Sequence, residues 1–157
     1  MDSKNKCGID KLPVLVVGSC NFDLTIQTHR LPRPSETLLG GDYRSFPGGK
    51  GANQALGPQR LDSEVRFLSV VGQDHYGEQI LDHLRQQGLD LSWVREEPEA
   101  PTGLALITVD EAGTRNIVVA PGANNALSEA DVDAFLRDAP CGAVLVTQLE
   151  IPLPTVA

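Results

Sequence analysis

The sequence predicts an α/β fold in which a mostly parallel sheet with flanking helices carries a small, separate β lid. Two short apolar runs, residues 12–17 and 65–71, are each followed by a glycine, which is typical of strands buried on both faces of a parallel sheet. Residues 76–87, after the second run, show helical spacing of their apolar positions. Since strands and helices alternate, a parallel sheet is favoured, and the less regular β segments near 37–46 and 103–120 are expected to lie apart from it.

The first third of the chain is expected to hold a polar leader, a buried strand and a peripheral β segment. The leader covers residues 1–11, and the run 12–17 forms the first strand. Polar and apolar residues mix in residues 37–46, which end before Pro47, so this segment is interpreted as peripheral β-structure. Residues 51–61 should begin as a helix.

The middle of the chain predicts one helix and one hairpin. The helix at residues 76–87 stops before Gly88, a residue that suits a helix C-terminus. Residues 103–109 and 116–120 are joined by a polar segment containing glycine, which predicts a β-hairpin.

A last helix and a last strand are predicted near the end of the chain. Ser128 is a suitable N-cap with Asp131 three residues later, and the helix should run to about Arg137. Residues 143–146 are interpreted as another buried strand. Because the chain stops where the next helix would begin, residues 12–157 are expected to be an incomplete, truncated α/β domain.

Composition and charge exclude several classes of partner. The 157 residues carry 41% hydrophobic and 22% charged residues, as a single globular domain does. A net charge of −8 leaves no basic face for nucleic acid or an anionic membrane. Cys7, Cys20 and Cys141 show neither a disulfide framework nor zinc spacing, and no signal peptide is evident. A cytoplasmic protein that binds small molecules is therefore expected.

Three polar residues are expected to meet at one edge of the predicted sheet. Asn21, Asp23 and Glu150 follow buried strands, and ligands of open α/β sheets sit outside the carboxyl ends of the strands. Carboxylates accept the hydrogen bonds that a diol donates, while an amide both donates and accepts, so this set predicts a polyol or sugar site. In the alternative interpretation, Asn21 and Asp23 only shape the turn after the first strand.

The glycine-rich run at residues 46–55 is the most informative stretch. It is not a P-loop, because Gly51 follows Lys50 and Arg44 stands where the first glycine should be, and no GxGxxG pattern fits either. Such a run allows close approach of the backbone to a ligand and opens a helix with free N–H groups, to which Lys50 and Asn53 add side-chain donors. A glycine-rich connection with a solvated lysine is the alternative.

Five short motifs in order resemble the N-terminal half of the ribokinase-like, phosphofructokinase-B-type sugar kinases. They are Gly-Ser-Cys-Asn-Phe-Asp at 18–23, Gly-Gly-Lys-Gly-Ala-Asn-Gln-Ala at 48–55, Gly-Gln-Asp-His-Tyr-Gly at 72–77, Gly-Ala-Asn at 122–124 and Gln-Leu-Glu at 148–150. The resemblance covers about residues 13–157, and the glycine–lysine run is typical of the ribokinase branch.

This resemblance implies an ATP-dependent kinase that converts D-ribose to D-ribose 5-phosphate in its complete form. It implies substrate ligands at Asn21, Phe22, Asp23, Gly49, Lys50, Gly51, Ala52, Asn53 and Glu150. The catalytic aspartate and the sites for ATP, Mg²⁺ and K⁺ are expected in the missing C-terminal half. A homodimer that pairs through the β lid is also implied. No metal site is expected in this chain, and the expected location is the cytoplasm or also the nucleus.

Two departures and two alternatives accompany the resemblance. Pro58 lies beyond the first turn of the predicted helix, where proline costs about 3 kcal/mol in a helix interior, and Asp62 replaces a small residue; both bear on how Asn53 is placed. The alternatives are a sibling sugar or nucleoside kinase and a non-catalytic sugar-binding or dimerisation fragment. The 157-residue chain itself is expected to be inactive as a kinase.

Overall fold

The computed structural model describes residues 12–157; the predicted leader at 1–11 lies outside the described residues. The strands are β1 (Val14–Val17), β2 (Asn21–Gln27), β3 (Tyr43–Gly48), β4 (Val65–Gly72), β5 (Val94–Glu97), β6 (Gly103–Val109), β7 (Arg115–Ala120) and β8 (Val144–Thr147). The helices are α1 (Lys50–Gln59), α2 (His75–Gln86), α3 (Glu129–Leu136) and α4 (Leu153–Val156), with a 3₁₀ turn at Gly122–Ala126.

Four parallel strands in the order β5-β4-β1-β8 form what we call the core sheet. Alternate residues of β1 point to opposite faces: Val16 packs in a cluster with α1 and α2, whereas Leu15 and Val17 pack in a second cluster with Phe135 of α3. Both faces of β1 and β4 are therefore buried, as their continuous apolar runs predict.

The other four strands form a separate sheet in the order β3-β2-β6-β7, called the lid sheet below. β2 is antiparallel to β3 and parallel to β6, and β6 is antiparallel to β7. β2 starts at Asn21, four residues after β1 ends, so the chain passes almost directly from the core sheet into the lid sheet. The expected separation of a parallel sheet and a peripheral β element is confirmed.

Both helices α2 and α3 match their predicted features. Asp74 caps α2 by accepting from the backbone N–H of Gly77, and Gly88 after the helix has φ +76°. Ser128 and Asp131 form a reciprocal capping box at the start of α3. None of the helices within residues 12–157 has the length and apolar character needed to cross a membrane.

Three expectations need correction. The lid segment predicted at 37–46 is a strand only from Tyr43, and it continues through Pro47 to Gly48, because proline is tolerated on an edge strand such as β3. Asn21 and Asp23 lie on β2 rather than in a turn. The strand predicted as buried at 143–146 is exposed, because β8 is the edge of the core sheet and Leu145 is half exposed.

The proline in α1 causes no break. α1 includes Pro58 and ends one residue later at Gln59, so the missing N–H falls in its last turn, and the first turn remains regular with the Asn53 N–H bonded to the Gly49 carbonyl at 3.1 Å. Asp62, beyond the helix, takes the left-handed conformation with φ +56°.

Candidate functional site

The candidate site lies where the core sheet and the lid sheet meet. It is built from the crossing between β1 and β2, the start of α1, the 3₁₀ turn and the segment after β8. A cleft of about 320 Å³ opens there, and its polar lining residues are Asn21, Asn124, Asn125 and Glu150. Residues that are distant in the sequence therefore line one cleft, and the start of α1 reaches it through the contact between Lys50 and Glu150.

The side chain of Glu150 contacts three other residues of the site. Its carboxylate accepts from the Ser19 hydroxyl at 2.8 Å, from the Lys50 backbone N–H at 3.2 Å and from Asn21 Nδ2 at 3.4 Å. The Lys50 ammonium forms an ion pair with the other carboxylate oxygen. Burial alone would raise the pKa of Glu150, but these hydrogen bonds and the Lys50 charge outweigh it and hold the pKa below its usual value.

The start of α1 presses against the crossing segment so closely that glycine is required. A Cβ on Gly51 would overlap the backbone of Gly18 and Ser19. Gly49 has φ +96°, and a Cβ there would lie 2.7 Å from the Asn21 backbone nitrogen. Gly49 and Gly51 thus allow the helix start, with its backbone donor at Lys50, to reach Glu150.

Asp23 provides a second carboxylate, and its pKa is shifted in the opposite direction to that of Glu150. It lies on the same face of β2 as Asn21, next to Gly48 of the paired strand β3, and no hydrogen bond from residues 12–157 reaches its carboxylate. Burial, and in second place the negative charge of Glu150, raise the pKa of Asp23. Among residues 12–157, Asp23 is therefore an acceptor without a donor, and its carboxylate could accept from a ligand hydroxyl group.

Ser19, Asn124 and Gln148 are site residues that sequence reasoning missed as individual side chains. The Ser19 hydroxyl also accepts from Gln148 Nε2 at 3.2 Å, and Asn124 donates to Asn21 Oδ1 at 2.9 Å. All three lie within the short motifs that carry the family resemblance. Membership in those motifs was the available signal, since small polar residues near strand ends have many other roles.

The remaining expected ligands lie elsewhere in the site or in the core. Phe22 is 2% exposed and stacks on Tyr76 with ring centroids 4.5 Å apart, on the face of β2 opposite to Asp23. Ala52 is buried and donates its backbone N–H to the Ser19 carbonyl. Asn53 is exposed on the first turn of α1. Within residues 12–157, no three His, Cys, Asp or Glu side chains are grouped as a metal ion would need.

Comparison with known proteins assigns the same region to one family. Residues 11–150 match the model of the pfkB family carbohydrate kinases. The chain is 36% identical over 143 residues to the ribokinase of Bacillus subtilis and 38% identical over 141 residues to that of Haemophilus influenzae, which covers 91% and 88% of this chain. It is also 34% identical over 145 residues to the deoxyribokinase of Salmonella typhi, covering 92% of this chain.

Solved structures agree with these sequence matches. The ribokinase of Thermotoga maritima superimposes with a TM-score of 0.82 at 33% identity, covering 92% of this chain and 48% of that one. A structure of Arabidopsis thaliana ribokinase complexed with ribose and ATP gives 0.76 at 33% identity, covering 90% and 46%. The chain spans 48%, 45% and 47% of the three curated relatives named above. The α/β fold and the family match over residues 11–150 together show that this chain belongs to the pfkB family of carbohydrate kinases.

Proposed function

We propose that this chain forms the sugar-binding part of a sugar kinase whose substrate is D-ribose. The observation that carries the proposal is the cleft lined by Asn21 and Glu150, with the carboxylate of Asp23 close enough to Glu150 to interact with its charge. Two of its relatives are named ribokinase, and one solved relative is described as complexed with ribose and ATP.

The site offers a balanced set of donors and acceptors for a neutral polyol. Asn21 Nδ2 and the Lys50 ammonium donate, and the carboxylates of Glu150 and Asp23 accept. Without a ligand, Lys50 and Glu150 neutralise each other, so an incoming hydroxyl can insert between them as donor and acceptor at once without bringing charge into the cleft.

The proposal extends to the complete protein. It would transfer phosphate from ATP, with Mg²⁺ and K⁺, to give D-ribose 5-phosphate in the cytoplasm or also the nucleus. We assign no step of phosphoryl transfer to residues 12–157 and place the catalytic aspartate outside them. The 157-residue chain with ATP, Mg²⁺ and K⁺ should therefore form no ribose 5-phosphate; sustained turnover, after control for contaminating kinase, would contradict this placement.

Binding of sugars to the purified chain tests the sugar site directly. Isothermal titration should show D-ribose binding more tightly than a hexose, a nucleoside or 2-deoxyribose, and Glu150→Gln should weaken ribose binding by about tenfold or more, since a hydrogen bond to a charged group is lost. Glu111→Gln, in the exposed turn of the β6–β7 hairpin, removes the same charge away from the cleft and should change nothing. Tighter binding of a hexose or nucleoside would contradict the ribose assignment.

Exposed apolar side chains of the lid sheet favour a second role, association of two chains. Tyr43 is 74% exposed, Val118 68% and Leu106 50%, and every residue of β7 is exposed. Uncovered apolar β-surface promotes pairing with another chain. A homodimer through the lid sheet is thus part of the proposal, and Val118→Lys should lower the mass measured by analytical ultracentrifugation if it is correct.

A further inference from the structure

Asn124 is almost completely buried, at 1% exposure, in the 3₁₀ turn through which the chain leaves the lid sheet. Its side-chain amide contacts the crossing from β1 to β2. Asn124 Oδ1 accepts from the Cys20 backbone N–H at 2.9 Å, and Asn124 Nδ2 donates to the Cys20 carbonyl at 2.9 Å. Nδ2 also lies 2.9 Å from the Pro121 carbonyl, so its two N–H groups are shared among three acceptors, the third of which is Asn21 Oδ1.

These backbone partners fix which end of the Asn124 amide faces which neighbour. A backbone N–H can only donate and a backbone carbonyl can only accept, so the two ends of the Asn124 amide cannot be exchanged without losing these hydrogen bonds. Nδ2 therefore points towards Asn21, whose Oδ1 it reaches at 2.9 Å.

The orientation of the Asn124 amide also fixes the orientation of the Asn21 amide. Since Asn21 Oδ1 faces a donor, Asn21 Nδ2 must face the opposite way, where it lies 3.4 Å from Glu150 Oε2 in the cleft. Gly103 closes the other side of the Asn21–Asn124 hydrogen bond, because a Cβ there would overlap both Asn124 Nδ2 and Asn21 Oδ1. The bond is thereby shielded from competing water.

We propose that Asn124 is a positioning residue that holds the Asn21 amide with its N–H groups towards the cleft, so that the cleft selects a ligand oxygen flanked by acceptors, that is, a hydroxyl group. The sugar part of this inference rests on the proposed function. Asn21 Nδ2 and Glu150 already bond to each other, whereas no donor among residues 12–157 reaches Asp23, so a sugar lacking that hydroxyl would leave Asp23 without a donor, and this should select against it.

A double-mutant cycle on ribose affinity tests whether Asn124 acts through Asn21. Asn124→Ala should weaken binding by about tenfold, but by less than about twofold when Asn21→Ala is already present, since coupled residues are not additive. Equal losses in both backgrounds would mean a merely structural role and overturn the proposal. Asn116→Ala, an exposed asparagine on β7, is the matched control and should leave the affinity unchanged.

A second measurement needs neither sugar nor a folded variant. In NMR spectra of the wild-type chain, the Asn21 side-chain NH₂ should show stronger nuclear Overhauser effects to the Glu150 side chain than to the Asn124 NH₂. The reverse pattern would mean the opposite amide orientation and overturn the proposal, whether or not ribose binds. Failure of wild-type ribose binding with the expected NMR pattern would instead contradict the proposed function alone.

Discussion

Asp23 and Glu150 are neighbouring carboxylates whose ionisation affects the stability of the fold in opposite directions. The lowered pKa of Glu150 means that its ionised form stabilises the fold at neutral pH, and this contribution is lost as the pH falls through the folded-state value. The raised pKa of Asp23 has the opposite sign: its contribution is most favourable below the unfolded-state value and is lost as the pH rises through the folded-state value.

Asp23→Asn should therefore increase the free energy of unfolding at pH 7 while weakening ribose binding. The gain should stay below about 1 kcal/mol, because water screens a partly exposed carboxylate, and it should shrink as the pH falls and wild-type Asp23 becomes protonated. Urea unfolding at pH 7 and pH 4 measures it. Asp42→Asn, at an exposed position before β3, is the control, and a loss of stability at pH 7 in Asp23→Asn would refute the assignment.

In helix α1, the same glycine-to-alanine substitution should affect the stability differently at two positions. Its first turn meets the β1–β2 crossing without room for a Cβ at Gly51, whereas apart from its chain neighbours nothing lies within 4 Å of a Cβ at Gly57. Gly51 is therefore needed for the close approach of α1 to the crossing segment, whereas Gly57 contributes no such contact and lowers the stability of the helix.

Gly57→Ala should change the free energy of unfolding by less than about 1 kcal/mol, because the usual gain of alanine over glycine in a helix is opposed by the clash between a Cβ at this position and the ring of Pro58. Gly51→Ala should lower it by about 1–3 kcal/mol and disturb the Lys50–Glu150 contact, since the backbone itself must shift. Thermal unfolding of both variants beside the wild type decides the matter. Two variants of similar stability would show that the close approach of α1 is not required.

The start of α2 has a double role at the lid junction. Asp74 caps the helix and also accepts from the Thr102 backbone N–H at 2.8 Å and the Thr102 hydroxyl at 2.7 Å, just before β6 begins. These bonds connect the end of β4, the start of α2 and the root of the lid sheet.

Asp74→Ala should destabilise the protein more than Ser128→Ala, which removes a helix cap with no comparable link to the lid. We expect about 1 kcal/mol for the Ser128 variant, and about 2–3 kcal/mol for Asp74 because buried partners lose their acceptor as well. Urea titration followed by circular dichroism measures both. Equal losses would indicate that the Asp74–Thr102 bonds contribute nothing beyond capping.

Sequence reasoning missed the elements whose side chains are partly buried and partly exposed, since these elements show no clear apolar pattern. β2 mixes buried, half-buried and exposed positions, so Asn21 and Asp23 resemble a turn although they belong to a strand. β5 has only four residues, Val-Arg-Glu-Glu, and this polar composition does not indicate that it pairs with β4. Lys50 and Glu150 stand out in the sequence because one lies in a glycine run and the other at a strand end, whereas Asn124 does not, since its contact with Asn21 joins residues 103 positions apart.

On the scale of the whole molecule, the two sheets leave different edges uncovered among the described residues. β8 forms one edge of the core sheet, with Val144 44% and Leu145 50% exposed, and β7 forms one edge of the lid sheet. Unpaired edges with apolar side chains are association sites unless a charge or another segment covers them.

The 157-residue chain should therefore self-associate beyond the proposed lid-sheet dimer as its concentration rises, and Leu145→Lys should reduce this further association. A lysine on an edge strand disfavours pairing with another strand. Sedimentation velocity over a range of concentrations measures the effect, with Leu61→Lys, an exposed leucine outside the strands, as control. A wild-type chain that stays monomeric throughout would contradict the expectation.

The long sequence distances spanned by the site also bear on how the protein reaches its native state. Glu150 bonds to Ser19 across 131 residues and to Lys50 across 100, so these contacts form only after a large loop has closed, at an entropic cost that grows with loop length. Local hairpins such as β6–β7 can form earlier. In stopped-flow experiments, Glu150→Gln should thus accelerate unfolding and leave the folding rate nearly unchanged, because the contacts it removes are late ones.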